Sequence, residues 1–232
     1  MNRKVICALD TGDVAEAIQT VKSLSDHVLT FKIGHALTLT NGLEVIAKLK
    51  DAGAQRIFLD LKFHDIPSVV ALAVREAAKC GVWMTTLHVA GGRAMMTAAV
   101  EQARAFDEED RPLLMGVSVL TSLSQRDLTD DLGVTRDLPE HMVRLSQLAI
   151  DCELDGVIAS PHEAGAIRMA IGHEGIIVTP GIQLNSAESS DQTRVASAQF
   201  AFDNGADYVV IGRALTSAED PQARLAELGL TS

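Results

Sequence analysis

A chain of 232 residues with 47% apolar and 22% charged side chains is long enough for a sizeable core, and its composition excludes a collagen-like or wholly disordered protein. Its 20 basic and 31 acidic side chains give a formal charge of −11, which excludes a broad basic nucleic-acid footprint but not an anionic small molecule held by a few local cations. No apolar run approaches the roughly 18 residues of a membrane span.

In chain order, residues 1–4 are basic, but too few apolar residues follow before Asp10 for a secretory signal. Apolar runs at 5–9, 28–33, 56–62, 84–89, 113–120, 156–159, 176–179 and 208–211 predict eight short strands. Amphipathic segments separate them. Ala15, Ile18, Val21 and Leu24 recur at helical spacing, as do Leu43, Ile46, Ala47 and Leu49 before a stop at Gly53. A helix over 69–80 ends at Gly81, and further helical patterns follow Gly91, span 142–150, and follow His162, Ser190 and Pro221.

Strand alternating with helix predicts a parallel α/β fold. Strand count alone allows an open doubly wound sheet; eight strand–helix units averaging 29 residues suit a βα repeat, and a closed (β/α)8 barrel, the TIM-barrel architecture, is the expected form. No linker or repeat divides the chain, so residues 1–232 are read as a single catalytic domain. Cys7, Cys80 and Cys152 show no Cys-x-x-Cys spacing, which predicts buried free thiols in a reducing cytoplasm. Asp107-Glu108-Glu109-Asp110 reads as a solvated helix end or loop. The aperiodic, Ser-rich segment 181–191 reads as a binding loop or lid.

The most informative stretch is Asp60-Leu61-Lys62-Phe63-His64-Asp65-Ile66-Pro67. Residues two apart in a strand share a face, so Asp60 and Lys62 are expected side by side at the C-terminal end of the third strand. Barrel enzymes build their sites at that end. A structural ion pair is the plain alternative. Lys32 in Phe31-Lys32-Ile33-Gly34 and Asp10 after Ala8-Leu9 take similar positions on the two preceding strands. Four charges at three successive strand ends are hard to explain as packing.

Near the other end, Val210-Ile211-Gly212-Arg213 closes the last strand with a glycine and a guanidinium. Together with Thr179-Pro180-Gly181 after the seventh strand, this marks a phosphate site, since the last two loops of such barrels often hold one. The seven histidines offer no metal-ligand spacing; only His64 and His88 could meet, and no resident metal is expected. No Gly-x-Gly-x-x-Gly or Walker-type loop occurs. Phe31 and Phe58 read as core.

These motifs resemble the orotidine 5′-phosphate decarboxylase family over essentially the whole chain. The resemblance runs through Ala8-Leu9-Asp10, Phe31-Lys32-Ile33-Gly34, the Asp60 to Pro67 block, Val119-Leu120-Thr121-Ser122, Val178-Thr179-Pro180-Gly181-Ile182, Asp191-Gln192 and Val210-Ile211-Gly212-Arg213. It implies a (β/α)8 barrel, a homodimer, no cofactor, and conversion of orotidine 5′-phosphate to UMP. It implies Lys62, Asp60, Asp65 and Lys32 as catalytic, with Asp65 serving the neighbouring subunit's site. Asp10, Lys32 and Asp60 are implied near the ribose and reacting group, and Thr121 and Ser122 near the pyrimidine. Ile66, Pro67, Val69, Pro180, Gln183, Gln192, Gly212 and Arg213 are implied as further substrate contacts. The sequence departs at Gln183, where the family usually has the Arg of Gly-Ile-Arg.

Two other functions fit parts of the pattern. Mg²⁺-dependent sugar-phosphate enzymes on related barrels share Asp-x-Lys-x-x-Asp but carry an acidic residue where this chain has Lys32, and an ammonium has no lone pair for a metal. A non-catalytic nucleotide-phosphate binder would account for Gln183, but not for all four charges at the strand ends.

Overall fold

The computed structural model describes residues 2–183 and 196–230. Each apolar run becomes a parallel strand paired with the next in sequence, and the last pairs with the first to close the barrel. The strands are β1 (Asn2–Leu9), β2 (Val28–Ile33), β3 (Arg56–Phe63), β4 (Met84–His88), β5 (Leu113–Val117), β6 (Gly156–Ile158), β7 (Ile176–Thr179) and β8 (Tyr208–Ile211). Among the described residues ten α-helices follow in order: α1 (Val14–Leu24), α2 (His35–Asn41), α3 (Val45–Asp51), α4 (Pro67–Lys79), α5 (Arg93–Ala103), α6 (Leu138–Asp151), α7 (Ala164–Ile171), α8 (Ala198–Asp203), α9 (Arg213–Thr216) and α10 (Pro221–Glu227).

The two-residue period of a strand divides the apolar residues between two layers. Ile6 and Ala8 of β1 join Phe58, Met84, Met115, Val178 and Val210 in the barrel interior. Val5, Cys7 and Leu9 face the other way, under the helices, with Phe31, Ile57 and Leu59. Helix starts follow local chemistry. The Asp13 carboxylate accepts from the Ala15 and Glu16 amides, Asp220 does the same for Gln222 and Ala223, and Pro67 opens α4 after an extended Ile66.

Several expected bounds move. Strand β1 starts earlier, because the Asn2 amide donates to the His27 carbonyl. Strand β5 stops at Val117, strand β6 at Ile158, and β4 gives way to a 3₁₀ turn, Val89–Gly91. Two helices had no periodic signal. In α2 only Leu37 is buried while Leu39 is exposed, and the Thr38 and Thr40 hydroxyls donate to carbonyls of the preceding turn. The one-turn α9 is too short for a pattern. The helix expected after Ser190 begins within undescribed residues; α8 follows them. Cys7 and Cys152 are buried thiols, but Cys80, at the outer end of α4, is only half-buried. Burial, with help from Asp10 and against Lys32, pushes the Cys7 thiol up to about 12. Among the described residues no helix is long and apolar enough to cross a membrane.

At the N-terminal end of the barrel, two aspartates preceding strands clip the strands beside them. Asp155 accepts from the Leu114 amide and from both terminal nitrogens of Arg111, at 2.8, 3.1 and 2.9 Å. Asp207 accepts from the Ile177 amide at 2.8 Å and from Arg168 at 2.6 Å, while Arg168 also donates to the Gly172, Gly175 and Gly205 carbonyls. That end is built for cohesion. Gly156 shows how closely β6 approaches β7: a Cβ there would lie 2.1 Å from the Ile176 carbonyl oxygen. Because the obstacle is backbone, Gly156→Ala should destabilise the barrel by about 1–3 kcal/mol, read as a lower urea midpoint. An unchanged midpoint would show that the β6–β7 contact yields freely.

Candidate active site

The C-terminal strand ends surround a cavity of about 560 Å³. Its floor is apolar, with Ala8, Phe58, Val117, Ile158 and Val210 among the lining residues. Successive strand ends β1, β2 and β3 carry Asp10, Lys32, Asp60 and Lys62 to its wall. The four charges alternate in sign. Lys32 Nζ lies 3.1 Å from Asp10 and 3.6 Å from Asp60, and Lys62 Nζ lies 2.9 Å from Asp60. The Lys32 ammonium thus sits between the Asp10 and Asp60 carboxylates.

The pairing of Asp60 with Lys62 does not arise from simple strand alternation. Leu59 pairs with Thr85 and Phe63 with Leu87, so β3 spends four steps where β4 spends two. The surplus is a bulge containing Asp60, Leu61 and Lys62. Lys62 adopts φ +50°, a left-handed conformation that costs a residue with a Cβ about 1–3 kcal/mol. The bulge brings the ammonium back onto Asp60, and the displaced Lys62 amide donates to Thr86 Oγ1 at 2.9 Å instead of joining the ladder. The Thr86 hydroxyl donates in turn to Asp60 Oδ1 at 2.9 Å.

Asp60 is largely buried, its side chain 13% exposed. Burial alone would raise its pKa. The Lys32 and Lys62 charges, followed by hydrogen bonds from Lys62 and Thr86, outweigh burial and hold the carboxyl below its ordinary range. Asp60 is therefore an anion at neutral pH. His88, at the end of β4, lies with its ring centroid 5.3 Å from that of His64. Burial, then the His64 and Lys62 charges, lower its pKa against an opposing pull from Asp60. This pair is the one metal-like juxtaposition anticipated from sequence, and among the described residues no group of three or more His, Cys, Asp or Glu side chains converges.

Across the cavity, the ends of β7 and β8 supply Pro180, Gln183, Gly212 and Arg213. Arg213 is exposed and has no carboxylate partner among the described residues. The Gln183 amide donates to the Ala196 carbonyl and the Ala196 amide to the Gly181 carbonyl, which ties together the two ends of the intervening loop. The buried Gln183 Oε1 has no hydrogen-bond partner among the described residues. Gln192 lies outside them, as does most of the loop expected over 181–191.

The other residues divide. Thr121 lines the cavity, whereas Ser122 is exposed and does not. Asp65, Ile66, Pro67 and Val69 also lie away from this cavity on exposed surface at the start of α4; Asp65 and Val69 border a separate pocket that Lys62 also touches. Thr86 escaped the sequence reading, although alternation from the inward-facing Met84 puts it and His88 on the interior face. Val119 and Leu120 also line the cavity, because β5 ends early and the chain turns across its mouth.

The family model described as orotidine 5′-phosphate decarboxylase / HUMPS family matches residues 3–228. An orotidine 5′-phosphate decarboxylase from Pelobacter propionicus is 44% identical over 219 residues, 94% of this chain and 90% of that protein. One from Vibrio atlanticus is 41% identical over 230 residues, 99% and 98% of the respective chains. A crystal structure of orotidine 5′-phosphate decarboxylase from Lactobacillus acidophilus is similar with a TM-score of 0.84 at 32% identity, covering 98% of both chains. With a closed eightfold barrel and charged strand ends facing one cavity, this chain belongs to the orotidine 5′-phosphate decarboxylase / HUMPS family.

Proposed function

We infer that the Asp10–Lys32–Asp60–Lys62 row carries out the reaction of this carboxy-lyase, with Lys62 as proton donor. The chain converts orotidine 5′-phosphate to UMP, the last step of pyrimidine nucleotide synthesis. The observation that carries the residue assignment is the Lys62 ammonium, held 2.9 Å from an ionised Asp60 at the wall of a cavity of nucleotide size.

When the bond from C6 to the carboxylate breaks, CO₂ leaves and the electron pair stays on C6. The ring delocalises that pair poorly. A fixed ammonium beside C6 stabilises the developing charge and then transfers its proton there, giving UMP and a neutral Lys62 amine. Asp60 holds the ammonium in place and presents negative charge to the departing carboxylate. Lys32 and Asp10 address the ribose, Thr121 and Ser122 the pyrimidine, and Pro180, Gln183, Gln192, Gly212 and Arg213 the phosphate end. The electrons come from the broken bond and the proton from Lys62, so the scheme uses no cofactor.

The same reading makes the chain one barrel domain of a cytoplasmic homodimer. Asp65 faces away from its own cavity, beside Ile66, Val69 and Leu72, which are 63, 43 and 48% exposed. Covering that apolar surface with a second copy accounts for its exposure. Ile66, Pro67 and Val69 then flank Asp65 at the neighbouring site. The free cysteines suit a reducing compartment.

Lys62→Ala should lower kcat by at least about 10⁴-fold, followed as loss of orotate absorbance, because it removes both the acid and the electrostatic partner. UMP should still bind by calorimetry. Near-normal turnover would remove Lys62 from its role. Mixing inactive Asp65→Asn and Lys62→Ala subunits should restore activity, since one of the two sites in the heterodimer then has both native residues. No recovery after verified subunit exchange would argue against a shared site.

Gln183→Arg should raise kcat/KM about tenfold. A charge-assisted contact to phosphate is worth about 1–2 kcal/mol more than a neutral one, and 1.4 kcal/mol is a decade in rate. The substitution also removes the Gln183 oxygen, which has no partner among the described residues. An unchanged or lower kcat/KM with the fold intact would show that other groups already supply the charge.

A further inference from the structure

We propose that Thr86 is a positioning residue for the decarboxylation: its single hydroxyl locks the β3 bulge and thereby sets where the Lys62 ammonium stands. The inference rests on Lys62 being the proton donor. Thr86 belongs to β4, is fully buried, and lies beneath the row of charges without lining the cavity.

Its bonding is directional. The Lys62 amide is a donor only, so Thr86 Oγ1 accepts from it, at 2.9 Å. Asp60 is a carboxylate and accepts only, so the Thr86 hydrogen points to Asp60 Oδ1, also 2.9 Å away. One hydroxyl thus ties the backbone of the proton donor to the side chain of its anionic partner. The Lys62 ammonium closes the ring by donating to Asp60 Oδ1 and Oδ2 at 2.9 and 3.0 Å.

The bulge needs such a tie. Between the Leu59–Thr85 and Phe63–Leu87 pairs, three residues of β3 oppose Thr86 alone, and Lys62 is in the left-handed region. The Lys62 amide has lost its ladder partner. Remove the hydroxyl and that amide loses its acceptor, Asp60 loses a donor, and the bulge backbone loses its tie to β4. Relaxation toward an extended strand would swing the Lys62 side chain away from its present direction. Small misplacements of a reacting group have large kinetic costs.

The decisive comparison is Thr86→Val, which keeps the shape and removes the hydroxyl, against Thr86→Ser, which keeps the hydroxyl. Thr86→Val should lower kcat by about 10- to 100-fold while KM and the calorimetric Kd for UMP stay within about threefold. Thr86→Ser should return kcat to within about threefold of the parent. If Thr86→Val does not fold, Thr86→Ala takes its place with the same readouts. A parent-like kcat in the variant lacking the hydroxyl would overturn the proposal, as would equal losses in it and in Thr86→Ser. A loss confined to KM and UMP affinity would also overturn it. Lys62→Ala is assayed in parallel. If it keeps turning over, the proton-donor reading and the Thr86 inference fall together; if it is dead while Thr86→Val is normal, only the Thr86 inference fails.

Discussion

Asp60 is a carboxylate withdrawn from water, and burial by itself would drive it toward the neutral acid. Two ammonium groups and a hydroxyl reverse that tendency, and much of the upper rim is arranged to deliver them. Lys32 arrives from β2, Lys62 from the same strand as Asp60, and Thr86 from β4. Buried charges of this kind survive only with close partners, so the cluster is interdependent. Lys62 can be near Asp60 only because β3 departs from regular strand geometry, and that departure is held by the residue opposite it.

The barrel separates cohesion from chemistry along its axis. At the N-terminal end, Asp155 and Asp207 each pair with an arginine and also accept a neighbouring strand's amide. Their partners lie within the same protein, and the geometry is complete. At the C-terminal end, the polar groups are only partly matched to one another. Among the described residues Gln183 Oε1 has no partner and Arg213 no carboxylate, and Asp10 stays 63% exposed while paired with Lys32. Incomplete pairing at one end of a closed barrel is what a site for a polar, anionic ligand requires.

Two surfaces beside the cavity complete this picture. The backbone pairing between residues 181–183 and Ala196 fixes the ends of the β7–α8 loop next to Gln183, so that side chain starts from a defined position. On the other flank, the Asp65 to Val69 segment follows β3 closely in sequence yet faces out of the barrel. Its direction is set by Pro67, which starts α4 after the extended Ile66 and turns the chain away from the mouth.

The eight strands and the charged residues at their ends were legible in the sequence because apolar runs and helix spacing are local properties. Asp10, Lys32, Asp60 and Lys62 could be assigned to one rim from position alone, and Gln183 could be marked as a departure from the family. The helix α2 was not legible, since threonines and one buried leucine make no amphipathic stripe. Nor was the separation of Ser122, Ile66, Pro67 and Val69 from the cavity, which depends on where β5 ends and how α4 leaves β3; Asp65 alone was expected to stand away from its own site. The sequence by itself determined which residues carry charge, and at which strand ends. Only the tertiary structure decided how Asp60 and Lys62 meet, because the bulge and the left-handed Lys62 depend on register against β4 and on the Thr86 hydroxyl, 24 residues away in the chain.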